Sequence, residues 1–202
     1  MSTSSALQRK EHHHHAHAGI FSFTMKIGDW KKIFRPAFYK TLIAVSLNYT
    51  VHKGEFRHMI VGYLITDRRV CLVLYTEHKK VRRMLDHFYR CLHDEIHRSL
   101  EMADAPERDY FFSEITGFEN AHGKLFTEYE LRDIYLIRLL TGRKANVLYP
   151  DARVLRLKER LRNYPFCSVI NYNGGESPVL VRVLKKKTWE EIERLNAMEN
   201  NH

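Results

Sequence analysis

The chain has 202 residues, of which 44% are hydrophobic and 28% charged, enough for one compact domain with a core of its own. Its longest apolar run falls far short of the roughly 20 residues that cross a bilayer, and no basic segment followed by an apolar one opens it, so a cytoplasmic protein without a membrane partner is expected. A net charge of +9 favours a polyanionic partner, while three widely spaced cysteines, Cys71, Cys91 and Cys167, give neither a disulfide framework nor a zinc pattern.

Residues 1–19 are polar and aperiodic and read as a disordered arm. Its run His12–His15 with His17 is either a metal-chelating tract or a flexible histidine-rich tail. Ile20–Ile27 has the β-branched and aromatic content of a strand. A helix is expected over Ile33–Gly54, with Pro36 in its first turn and Phe38, Leu42, Val45 and Tyr49 as its apolar face. Phe56–Ile65 and Val70–Tyr75 read as two strands joined by the polar turn Thr66–Arg69. Lys79 to about Met102 reads as a helix with Val81, Leu85, Phe88, Leu92, Ile96 and Leu100 on one stripe. The order β-α-β-β-α is most of a ferredoxin-like unit, and the fold class expected is α+β with an antiparallel sheet and extra C-terminal helices.

Tyr110–Phe112 reads as a short edge strand. Thr127–Leu140 reads as a helix with a Thr127–Glu130 capping box and a stop at Gly142. Asp151–Arg162 is a basic helix capped by Asp151. Pro178–Leu184 reads as a strand, and Trp189–Met198 as a helix capped by Thr188. The chain divides into the arm 1–19, a main domain 20–172 and a C-terminal extension 173–202.

The segment GYLITDRRVCLVLY (Gly62–Tyr75) resembles the core strand of the single-tyrosine, His-hydrophobic-His transposases of the insertion-sequence and REP-associated type. Tyr63, Leu64, Ile65, Val70, Leu72, Val73 and Leu74 fit that pattern. Upstream, FTMKIGDWKKIFRPAFYKTLIAVSLNYTVHKG resembles the family's opening strand, tryptophan turn, Phe-x-Arg-Pro and helix. Downstream, KKVRRMLDHFYRCLHDEIHRSL, LRDIYLIRLLTGRKANVL and LRNYPFCSV resemble later family segments, over residues 20–172 in all. The resemblance implies single-stranded or hairpin DNA as partner, a homodimer, a divalent metal held by the two histidines, and a nucleophilic tyrosine at the place of Tyr135.

The two histidine positions hold Arg69 and Cys71, and the family's asparagine is Arg68. Residues i and i+2 on a strand share a face, so the facing is kept and the ligands are not. Arginine has no lone pair to donate, and one thiol is a poor ligand for magnesium or manganese. No metal or other cofactor is therefore expected unless the site is remodelled, and strand cutting is not expected. Arg68 and Arg69 stand either as solvated turn residues or as electrostatic replacements for the metal. Tyr135 stands either as a nucleophile or as packing on an apolar helix face.

The basic residues then carry the expected chemistry. Lys79, Lys80, Arg82 and Arg83 cluster at a helix start, Arg143 and Lys144 follow a helix end, and Arg153, Arg156 and Arg160 form a stripe. With Arg68 and Arg69 they are the candidate nucleic-acid contacts. The function expected is that of a transposase-like DNA-binding protein with a degenerate site. An active tyrosine transposase or nuclease using Tyr135, and a protein-interaction scaffold without DNA binding, are the alternatives.

Overall fold

In a computed structural model, residues 18–52, 54–102, 124–144 and 151–199 are described. The histidine-rich arm and Tyr110–Phe112 lie outside these. The elements, in chain order, are β1 (Gly19–Ile27), a 3-10 turn (Asp29–Ile33), α1 (Pro36–His52), a 3-10 turn (Gly54–Phe56), β2 (Ile60–Ile65), β3 (Arg69–Thr76), α2 (His78–Met102), β4 (Phe126–Glu130), α3 (Ile134–Leu140), α4 (Ala152–Arg162), the single turn α5 (Val169–Tyr172) and α6 (Lys186–Glu199). The strands form one four-stranded antiparallel sheet in the order β2-β3-β1-β4. With α1 and α2 this is the ferredoxin-like α+β arrangement expected from the sequence.

Two cores lie on the two sheet faces. Met25, Ile27, Tyr63, Ile65, Val70, Leu72 and Leu74 point toward α1 and α2, where all six stripe residues of α2 are buried. Val61, Leu64, Cys71 and Val73 point the other way, toward Leu136 and Leu140 of α3, Leu161 of α4, and Trp189 and Ile192 of α6. Covering on both sides explains why β2 and most of β3 are buried without alternation. Residues 173–199 are not peripheral to this packing: Val179 joins the first core, and Leu184, Trp189 and Ile192 the second.

Several local expectations are corrected. The stretch Thr127–Glu130 is not the start of a helix. Phe126–Glu130 pairs with Phe23–Ile27 of β1 as the edge strand β4, because that edge offers a full ladder of backbone partners. The helix begins seven residues later than expected, at Ile134, where the Asp133 carboxylate accepts from the N–H groups of Tyr135 and Leu136 at 3.1 and 3.0 Å. It stops where expected. Gly142 has φ +66°, its N–H donates to Leu139 O, and Arg143 N–H donates to Arg138 O at 2.8 Å, a Schellman closure.

The buried face of α1 is also shifted. Tyr39, Leu42, Ile43, Ser46, Leu47 and Thr50 face inward, while Phe38 and Tyr49 are 46% and 50% exposed. Ser46 and Thr50 fit the interior because each hydroxyl donates to the carbonyl four residues back, at 2.8 Å. Gly54–Phe56 is a 3-10 turn, so β2 starts only at Ile60. Pro178–Leu184 is not a strand. It crosses the outer edge of β2 with Arg182 N–H donating to Ile60 O at 2.8 Å, while most of that edge is taken by Phe166–Ser168. Thr188 lies inside α6 and does not cap it. The helix capped by Asp151 is as expected, its carboxylate accepting from Arg153 N–H at 2.7 Å.

Candidate nucleic-acid interface

The sequence offers four groups of cations, and the fold treats them differently. Lys79, Lys80, Arg82 and Arg83 begin α2, and each already faces a carboxylate. Both lysines reach Glu77, at 3.2 and 2.6 Å, and hold its carboxyl below the usual range. Arg82 reaches Asp86 at 2.9 Å and Glu128 at 3.4 Å, and Arg83 reaches Glu55 at 2.8 Å. Glu55 and Glu128 come from other elements, so this neutralisation is a product of the fold. The cluster is a mixed-sign surface, a poor electrostatic match to phosphate.

The second group lines an open cleft of about 1570 Å³ between the end of α3, one side of α4, and α5. Gly142, Arg143 and Lys144 line it beyond the end of α3, Leu155, Lys158 and Arg162 from α4, and Tyr172 and Asn173 from the end of α5, with Glu159 as the acidic member. Arg143 is held inward: its guanidinium lies 4.8 Å from the Trp189 ring and pairs with Glu193 of α6. Burial, then the neighbouring Arg138, lowers its pKa from the ordinary value. Lys144, Lys158 and Arg162 are exposed and make no ion pair among the described residues. Of these, Lys144 is legible in the sequence by its place after a helix end. Lys158 and Arg162 were visible only as part of a basic helix, because which side of α4 is walled by another element is not a local property.

The third group, Arg153, Arg156 and Arg160, does share one exposed face of α4. That face is turned away from the cleft, and none of the three lines it.

The fourth group stands at the β2–β3 hairpin. Arg68 sits in the turn, where the Thr66 hydroxyl accepts from the N–H groups of Arg68 and Arg69 at 3.3 and 3.1 Å. Arg69 opens β3, exposed, on the same face as Cys71. That face is the one α3 covers, so the fold brings Arg69, Cys71 and the helix carrying Tyr135 to one side of the sheet. Tyr135 is half-buried, with its backbone tied to Asp133.

The donor set at this place does not fit a divalent metal. Arg69 is a cation. Cys71 is fully buried, and its sulfur lies 3.6 Å from the Thr24 hydroxyl. Burial pushes the Cys71 thiol up from its ordinary value, against the lowering influence of Thr24 and Arg69, so it stays protonated and offers no thiolate. Comparison with protein-family models, with curated proteins and with solved structures finds no match to this chain.

Proposed function

We propose that this chain is a transposase-like DNA-binding protein that takes single-stranded or hairpin DNA and does not cut it. The observation that carries the reading is the open cleft in which Lys144, Lys158 and Arg162 stand without acidic partners among the described residues, on a chain of net charge +9. Cations already matched by carboxylates gain little from phosphate, whereas unmatched ones release counterions on binding.

Fluorescence anisotropy with a labelled DNA hairpin tests this. Micromolar or tighter binding at low salt is expected, weakening roughly tenfold or more between about 50 and 200 mM salt. Lys158→Glu with Arg162→Glu should weaken it about a hundredfold, since each change both removes and reverses a charge. Lys79→Gln with Arg83→Gln, in the ion-paired cluster, should change it less than about threefold. Absence of binding at low salt would remove the DNA reading and leave the scaffold alternative.

A second reading keeps the chemistry. Its support is that Tyr135 stands in the first turn of a helix on the sheet face that bears Arg69, so a phosphate held by Arg69 could meet a tyrosine. It is tested by denaturing electrophoresis after incubation with labelled DNA. We expect no covalent adduct with or without magnesium or manganese; an adduct that disappears in Tyr135→Phe would establish the nuclease reading instead.

A further inference from the structure

We infer that the uncovered corner of the second sheet face, formed by Lys26, Arg69 and Tyr129, holds one nucleotide of a single DNA strand, its phosphate between the two cations and its base on the tyrosine ring. The inference deepens the DNA-binding reading and rests on it.

The strand register carries the argument. Lys26 of β1 is directly opposite Arg69 of β3 on one side and Thr127 of β4 on the other. Ile27 N–H donates to Arg68 O at 2.9 Å, so the 27–68 couple is the hydrogen-bonded one. The 26–69 couple is then a non-hydrogen-bonded pair, the class in which facing side chains come closest. Met25, Ile27 and Val70 point into the first core, which sends Lys26 and Arg69 to the opposite face, both exposed. Like charges directly opposite one another weaken a sheet, yet neither has an acidic partner among the described residues.

Among the described residues, the carboxylates around this corner are committed elsewhere. Asp67 pairs with Lys40 at 2.8 Å, Asp133 caps α3, and Glu130 pairs with Arg132 at 2.8 Å. Glu128 lies on the other face, accepting from the Tyr89 hydroxyl at 2.5 Å. Two adjacent cations lacking a counter-charge among the described residues are the complement of a phosphate, to which arginine offers a planar fork of donors and lysine a point charge. The Thr127 hydroxyl stands beside them as a further donor.

Tyr129 supplies the second half. It is opposite Thr24, on the same face as Thr127, and 55% exposed. Tyr129 is thus the diagonal neighbour of Lys26, one strand over and two residues along, and diagonal neighbours stand about 7–8 Å apart, a span that one nucleotide bridges from phosphate to base. An exposed ring next to a phosphate site is a stacking platform, and it serves an unpaired base only, because a duplex keeps its bases inside.

The test is anisotropy with a labelled oligothymidylate and with a blunt duplex, on full-length protein. All the substituted residues are exposed, and circular dichroism confirms folding of each variant. Lys26→Gln with Arg69→Gln should weaken oligothymidylate binding about tenfold and make its log–log salt slope shallower by about 0.7, the value for one phosphate on a single strand. Tyr129→Ala should weaken it about tenfold, Tyr129→Phe should retain it, and duplex affinity should ignore both. If these variants bind oligothymidylate like the wild type while Lys158→Glu with Arg162→Glu loses DNA, the corner is not a site and the DNA-binding reading stands. Failure of the wild-type protein to bind any DNA overturns both. Displacement of the strand by inorganic phosphate at equal phosphate concentration would assign the corner to a free anion and overturn the inference as stated.

Discussion

Raising the pH from 8 to 12 is expected to remove about 5 kcal/mol of folding stability through two phenols alone, one buried and one half-buried. Burial pushes Tyr63 and Tyr172 each from an ordinary 10.0 up to about 12. At Tyr63 the Ser177 hydroxyl and the Val179 backbone oppose the shift, and at Tyr172 the Leu184 backbone does. The sign follows from proton counting. Below pH 10 both folded and unfolded chains hold these protons, and stability is unaffected. Between pH 10 and 12 the unfolded chain releases them and the native chain does not, so each unit of pH costs about 1.4 kcal/mol per phenol. Cys167, pushed by burial from 9.0 to about 11, opens the same window one unit earlier. Losses of this size approach the whole stability of an ordinary domain. Urea midpoints by circular dichroism at pH 8, 10 and 11 should fall steeply, and a midpoint constant to pH 11 would sink the account. Tyr63→Phe should flatten the profile. It should also be close to neutral at pH 7, because the Ser177 hydroxyl and the Val179 backbone stand near the buried Tyr63 hydroxyl without completing a hydrogen bond to it.

Ser168→Ala is expected to cost about 2–4 kcal/mol. Ser168 is fully buried where three elements meet. Its hydroxyl accepts from Tyr63 N–H of β2 at 2.9 Å, and its O–H donates to Leu140 O, the end of α3, at 2.6 Å. The methyl group of alanine leaves a buried backbone donor and a helix-end carbonyl both unsatisfied, each worth about 1–3 kcal/mol. No larger side chain fits the gap from the other side, since a Cβ on Gly62 would stand 2.9 Å from the same Leu140 oxygen. The urea midpoint should drop with its slope unchanged, and the melting temperature by roughly 5–15 °C for a chain of this size. The Schellman closure after Leu140 places Arg143 and Lys144 at the cleft wall, so hairpin binding should weaken in the same variant. A loss under about 0.5 kcal/mol would mean that water replaces the hydroxyl.

Much of this architecture is legible locally. The stripe of α2 and the Asp151 cap of α4 depend on neighbours within a turn or two, and both are found where periodicity and capping place them. The hairpin around Thr66–Arg69 is set by two apolar runs and a polar turn. The fold class follows from their order. The site is less local. A like-charged couple such as Lys26 and Arg69 appears only when register puts residues 43 positions apart side by side. The crowding of lysines and arginines at the start of α2 looks like a phosphate site until Glu55 and Glu128 arrive from elsewhere to neutralise it.

What the sequence by itself determined is therefore the class of fold, the excess of positive charge and the pairing of Arg69 with Cys71 on one strand face: composition and residue identity need no third dimension. Tertiary structure alone decided the rest. Thr127–Glu130 carries a capping box yet joins the sheet, because pairing with the edge of β1 satisfies backbone groups that a frayed first helical turn leaves to solvent. Pro178–Leu184 has the composition of a strand and is refused a ladder, because Phe166–Ser168 already occupies most of the β2 edge. The inward side of α1 is chosen by the sheet and α2, which select Tyr39, Ile43 and Leu47 over Phe38 and Tyr49. In each case several local conformations lie close in energy, and the contacts between distant segments make the choice.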